Sequence, residues 1–296
     1  MKIDALYVGP AGWHYPDWNG VFYPASAKRS GSQLAYVAQF FNLVEINTSF
    51  YRIPEPASVQ NWQNQVATAP DFKFIAKLFQ GFTHEASPCG ARDRERFVAA
   101  FAPLYQSGRL CTVLAQYPWR VKYDEKALDA IVTMVQNLHP LPVHLEFRHA
   151  SWFNEQVLSR LRDQGIGWVN IDQPVIGASL APTQTLTTSL AYIRLHGRNY
   201  QTWFDKAGSR DLRYDYCYNR QELQEWAQRI QKISAQAQKT VVVFNNHFRG
   251  QAIVNTLQML ALLSRRPPLI PPQLAEAYPV LREYGYLSTG QQSLNF

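Results

Sequence analysis

The sequence predicts an α/β protein, a single (β/α)8 barrel of the TIM type, in which a closed parallel sheet of eight strands carries a Pro-rich C-terminal extension. Three observations predict it. Apolar runs of strand length recur eight times, helical patterns separate most of them, and the chain has 296 residues. Strands alternating with helices specify a parallel sheet, and this length suits one undivided barrel. Hydrophobic residues make up 46% of the chain and charged residues 17%, enough to bury a large core.

Taken in order, the first strand is ALYVGPAG (5–12), followed by a helix over 32–41 with Ser32 as its cap. LVEINTSF (43–50) is the second strand, and the helix at 57–66 follows Pro54 and Pro56. FKFIAKLF (72–79) leads to a helix over 91–108 that stops at a glycine. CTVLAQYP (111–118) precedes a helix at 125–138, capped by Asp124 and ended before Pro140. VHLEFRH (143–149) and the helix at 153–165 come next, then GWVNID (167–172). Residues 173–190, rich in Thr, Ser, Ala and Pro, read as a loop or a short helix. AYIRLHG (191–197) opens into a long connection, 198–219, packed with Tyr, Trp and Arg; that density argues against disorder and for function. Asn219 caps a helix over 220–238, TVVVFNN (240–246) is the last strand, and 252–265 the last full helix. The barrel domain is assigned to 1–265, and residues 266–296 to an extension packed on it.

Charge and cysteines narrow the function classes. A net charge of +7 favours anionic partners, although acidic residues are interspersed with the basic ones. Cys89, Cys111 and Cys217 are scattered and fit neither a disulfide framework nor a zinc site. The opening residues lack the apolar core of a signal peptide and no run reaches membrane-spanning length, so the expectation is a cytoplasmic protein with no membrane partner.

Alternation along a strand sends one set of side chains to the barrel axis and the other to the helices. With the apolar residues turned outward, Glu45 and Asn47 face inward, as do Glu146 and Arg148, Asn170 and Asp172, and Arg194 and His196. Lys77, Gln116, Asn245, Asn246 and His247 close other strands. Barrel enzymes place their sites at this end, and buried charges must pair or meet a ligand.

Several blocks carry a resemblance. GPAGWHYPDWNGVFYP (9–24), VEINTSFYRIP (44–54), FKFIAK (72–77) with Thr83 and His84, EFRHASW (146–152), YIRLHGR (192–198), DYCYNRQEL (215–223) and VFNNHFRGQA (243–252) are similar, in order, to those of the YecE-like family, domain of unknown function 72. The resemblance spans residues 7 to about 262 and implies a barrel without an established reaction. It singles out His14, Trp18, Glu45, Asn47, Tyr51, Lys77, Glu146, Arg148, Asp172, Arg194, His196 and Asn246. Ala11 stands where the family more usually has Ser.

The chemistry expected is an enzyme or binder of a small polar, anionic ligand: a phosphate, carboxylate or sugar-type molecule. Arg148, Arg194 and Lys77 would hold the anion, Glu45 or Glu146 would act as base, and His196 as acid or orienting group, with Asp172 beside them. His14, Trp18, Asn47, Tyr51 and Asn246 complete the ligand set. On this reading Arg194→Ala and Arg148→Ala lose anion binding with a modest change in melting. No cofactor is predicted. One alternative is a divalent metal held by Glu45, Glu146, Asp172, His196 and His247 in a hydrolase or isomerase, although no H-x-H or H-E-x-x-H spacing supports it. The other is single-stranded nucleic acid bound by the basic, aromatic loop 198–220.

Overall fold

The eight apolar runs become eight parallel strands: β1 (Leu6–Pro10), β2 (Leu43–Ile46), β3 (Lys73–Lys77), β4 (Leu110–Gln116), β5 (Val143–Glu146), β6 (Gly167–Asp172), β7 (Leu190–Leu195) and β8 (Lys239–Phe244). The computed structural model describes residues 5–24, 33–84, 89–205, 210–264 and 266–288; Ser32, Lys206, Arg265 and the end of the extension from 289 lie outside them. Seven of the eight units carry a helix among the described residues: α1 (Gln33–Val37), α3 (Pro56–Gln65), α4 (Ala91–Gln106), α5 (Glu125–Gln136), α6 (Glu155–Asp163), α7 (Arg220–Ser234) and α8 (Gln251–Ser264). A single helical turn, α2 (Thr48–Tyr51), lies between β2 and α3. Asp124 Oδ1 caps α5 by accepting from Ala127 N at 2.8 Å, and Asn219 forms a capping box with Glu222 on α7.

The sheet runs β1-β8-β7-β6-β5-β4-β3-β2. Its two ends meet through an isolated parallel bridge between Ala11 and Glu45, with Gly12 N donating to Glu45 O at 2.8 Å. Lower down, the Asn42 side chain replaces ladder bonds, accepting from Val8 N at 3.0 Å and donating to Leu6 O at 2.9 Å. Gly9 makes the approach sterically feasible, because a Cβ there would sit 1.9 Å from Leu43 O.

Register decides which side chains look inward. Ile193, Leu195, Val242 and Phe244 pack with Leu223, Trp226 and Ile230 of α7 and with Ile253 and Leu257 of α8, so Tyr192, Arg194, Val241 and Val243 face the axis. Val169 pairs with Tyr192 and Ile171 with Arg194, which puts Val169 and Ile171 inside. Asn170 and Asp172 therefore face outward, the reverse of the sequence-based expectation. The cause is local. No helix forms between β6 and β7, and the covering loop brings backbone groups that need polar partners. Asn170 supplies them, donating to Thr185 O at 2.9 Å and accepting from Thr185 N and Thr183 Oγ1, each at 2.8 Å.

Two boundaries also differ. The second strand ends at Ile46 instead of Phe50, because Ser49 Oγ sits between the carbonyls of Ile46 (2.9 Å) and Lys77 (2.6 Å) and pulls the chain into α2. The first helix is only the five residues of α1. After α8, β9 (Leu269–Ile270) pairs with β10 (Tyr286–Leu287), and α9 (Pro272–Ala277) buries Leu274 and Ala275 in the cluster formed by α7 and α8. Among the described residues no helix is long and apolar enough to cross a membrane.

Candidate functional site

Alternation brings Glu45 from β2, Glu146 and Arg148 from the end of β5, and Arg194 and His196 from the end of β7 to one level of the barrel interior. Arg194 Nε and Nη2 donate to Glu45 Oε2 and Oε1 at 2.7 and 2.6 Å, and its Nη1 donates to Glu146 Oε2 at 2.9 Å. Tyr192 donates its hydroxyl to Glu45 Oε2 at 2.6 Å. Arg148 Nε forms an ion pair with Glu146 Oε1 at 2.7 Å, without hydrogen-bond alignment. Its Nη1 donates to Gln173 Oε1 at 2.9 Å. Two carboxylates thus meet two guanidiniums, and the network carries no net charge. Burial alone would raise the Glu146 carboxyl, but Arg148 and Arg194 outweigh it and hold the group well below its usual range.

His196 completes this layer as a neutral group. Arg148 Nη2 at 3.3 Å and Asn245 Nδ2 at 3.0 Å both donate to its Nδ1, so the proton lies on Nε2, which faces Glu146 Oε1 at 3.3 Å. Burial, then the charge of Arg148, pushes the imidazole down to about 3. At neutral pH it is a hydrogen-bonding spacer, not an imidazolium acid.

Above this floor lies a cavity of about 230 Å³. Its walls are Trp13, His14 and Tyr15 from the loop after β1, Asn47, Thr48, Phe50 and Tyr51 from α2, Lys77 from β3, Tyr214 from the loop after β7, and Asn245 and His247 after β8. Tyr15 stacks on His247 with ring centres 4.4 Å apart. Lys77 is half-buried, with its ammonium 4.2 Å from the centre of the Phe50 ring. Among the described residues it has no hydrogen bond and no ion pair. Burial lowers it to about 7; Arg194 and Arg148 act in the same direction, while Glu45 and Glu146 oppose them. Asn47 Oδ1 is buried and accepts from no donor among the described residues.

The other residues expected at the site divide. His14 is exposed at the rim, with Nδ1 2.5 Å from Gln33 Oε1, and Tyr51 is 58% exposed there. Trp18 is fully buried and only braces the wall, donating to His247 O at 2.8 Å. Two residues are corrections. Asp172 faces the helices and accepts from Arg198 Nε at 2.8 Å, while Arg198 also reaches Glu222 of α7. Asn246 donates to Tyr216 O and Asn255 Oδ1, each at 2.8 Å, and it is the preceding Asn245 that faces the cavity. Tyr192 and Tyr214 were not anticipated. Tyr192 was within reach of the alternation argument, since it shares a face with Arg194; Tyr214 sits on a loop without periodicity.

The metal ligands expected of one alternative do not converge, and the loop of the other is only partly turned inward. Glu45 and Glu146 are occupied by arginines and Asp172 points elsewhere; no group of three or more His, Cys, Asp or Glu fit for a metal is found among the described residues. In the loop after β7, Trp203 is buried and lies 5.6 Å from the Arg148 guanidinium, and Tyr216 and Tyr218 bond Glu222 and Gly197. Trp203, Tyr216 and Tyr218 are thus held against the barrel, while Tyr200 and Phe204 of the same loop are exposed.

The family described as "Protein of unknown function DUF72" matches residues 7–277. The UPF0759 protein YunF of Bacillus subtilis is 32% identical over 274 residues, covering 87% of this chain and 94% of that protein. The UPF0759 protein YecE of Escherichia coli K12 is 27% identical over 59% of this chain and 61% of its own length. Among solved structures, a DUF72 family protein from Thermotoga maritima is 34% identical with a TM-score of 0.79, covering 88% of this chain and 99% of its own. A DUF72 family protein from Enterococcus faecalis is 26% identical with a TM-score of 0.76, covering 87% and 95%.

Proposed function

The chain belongs to the DUF72 family of proteins of unknown function, and we propose that it binds a small polar ligand bearing an anionic group in the cavity at the C-terminal mouth of its barrel. One observation carries this reading: Lys77 is the cation in the cavity wall that no carboxylate neutralises among the described residues. Arg148, Arg194 and Arg198 each have an acidic partner within 2.9 Å. A half-buried ammonium without a counter-charge is costly, and an anion of matching size relieves that cost. Stacked rings at the wall and the Asn47 carbonyl suit a hydroxyl-bearing skeleton such as a sugar. The arginines and glutamates below form a neutral floor, and the Lys77 ammonium rests on the Phe50 ring.

The experiment is thermal melting with increasing sulfate, phosphate and glucose 6-phosphate at constant ionic strength. The parent protein is stabilised by the anions and Lys77→Met is not. Lys73→Met, at the opposite end of the same strand, keeps the response. The response fades as pH rises above about 7, where Lys77 loses its charge. Equal stabilisation of parent and Lys77→Met would overturn the proposal.

A further inference from the structure

We propose that Lys77 is a nucleophile that forms an imine with a small hydroxylated aldehyde or ketone. This rests on the preceding reading, in that the same cavity holds the ligand, and it names the substrate class.

Three features of the cavity lead there. Lys77 has no acidic partner among the described residues, unlike the strand-end arginines, so nothing pins its nitrogen as a permanent cation. The Phe50 ring lies 4.2 Å beneath it and excludes water from one side. Asn47 Oδ1, buried in the same wall, lacks a donor among the described residues, and a substrate hydroxyl supplies one.

Burial is the largest influence favouring the free amine of Lys77, and the charges around it divide. Arg194, Arg148 and burial act against the ammonium, Glu45 and Glu146 act for it, and His84, which packs on Phe50 from the opposite element, is itself held near 4 by burial and by Lys77. The amine therefore titrates near neutrality, where a substantial share is unprotonated.

The step balances without a co-reactant. The Nζ lone pair attacks the carbonyl carbon, a C–N bond forms, and the carbonyl π pair moves to oxygen, which takes one amine proton to give the carbinolamine. The second amine proton leaves with that hydroxyl as water, and C=N replaces C=O. Protonation of the imine restores a positive charge at the same nitrogen. A carboxylate or phosphate on the substrate meets its counter-charge there.

The test is reductive trapping on the full chain. Glycolaldehyde and hydroxypyruvate are supplied separately with sodium cyanoborohydride at pH 7, and alkylation is mapped by peptide mass spectrometry. Lys77 is expected to be modified at least about tenfold faster than the other lysines, since its free-amine fraction at pH 7 far exceeds that of an ordinary lysine near 10.4. Its rate should rise with a midpoint near pH 7. Phosphate should slow Lys77 alone, and Lys77→Met should leave the slower background unchanged. If Lys77 reacts no faster than the others while phosphate still stabilises the parent and not Lys77→Met, the imine is overturned and the ligand reading survives. If phosphate neither stabilises nor protects while Lys77 is trapped quickly, the anion reading falls and the imine stands. Failure of both measurements removes both.

Discussion

Arg194→Met separates a structural network from a ligand-binding one. Arg194 is 1% exposed and makes three charged hydrogen bonds of 2.6–2.9 Å, two to Glu45 and one to Glu146. Its removal leaves Glu45 with Tyr192 as its remaining side-chain partner, fully buried, while Glu146 keeps Arg148. Breaking a buried pair on one side costs about 3–5 kcal/mol because a desolvated charge remains. For a chain of this size that lowers the melting temperature by roughly 5–8 °C. Adding Glu45→Gln to Arg194→Met removes the orphaned charge, so the double variant should recover about 1–3 kcal/mol relative to the sum of the single losses. Melting at pH 7 with and without phosphate reads both effects, and Arg194→Met keeps the phosphate response because Lys77 is untouched. A change of only a degree or two together with loss of that response would show that the guanidinium waits for an anion, as the residues alone had suggested, and would refute the neutral floor.

The remaining predictions concern closure, pH and the loop root. Gly9→Ala places a Cβ 1.9 Å from Leu43 O and should abolish soluble folded protein or lower its melting temperature by at least about 10 °C; normal melting would show that β1 and β2 can separate without cost. His196, held near 3, and His84 and His144, held near 4, are depressed below the ordinary value of about 6.5. The unfolded chain then binds more protons between about pH 6.5 and 4, so their stabilisation is present above that window and is lost as pH falls through it; a flat melting profile from pH 7 to 4 contradicts these assignments. Lys77 has the same sign in a higher window: stability should climb from pH 7 to 10 in the parent, and the climb should shrink in Lys77→Met. Asp172→Asn weakens the tie to Arg198 at the root of the loop after β7, so proteolysis in residues 198–219 should quicken while the phosphate midpoint stays unchanged; a shifted midpoint would return Asp172 to the site.

The barrel and most of the ionic layer were readable from the residues. Eight apolar runs separated by helical stretches admit few other topologies, and in β2, β5 and β7 a polar residue between apolar neighbours can only turn to the axis once those neighbours pack on helices. Alternation placed Glu45, Glu146, Arg148, Arg194 and His196 together.

What pairs with what needed the tertiary structure. In β6 both faces are buried, so hydrophobicity could not choose between Val169 and Asn170; register against β7 and an unhelical covering loop chose, and Asp172 turned outward. Adjacent Asn245 and Asn246 are chemically alike, and only the direction of the chain leaving β8 sends one to the cavity and the other to Asn255. Strand-end charges seen one at a time look available to a ligand, because sequence carries no distances. Across the barrel the arginines neutralise the glutamates, and among the described residues of the cavity wall Lys77 is the cation without a carboxylate partner, since Coulomb pairing is a property of separations that exist only once residues 45, 146 and 194 share one layer.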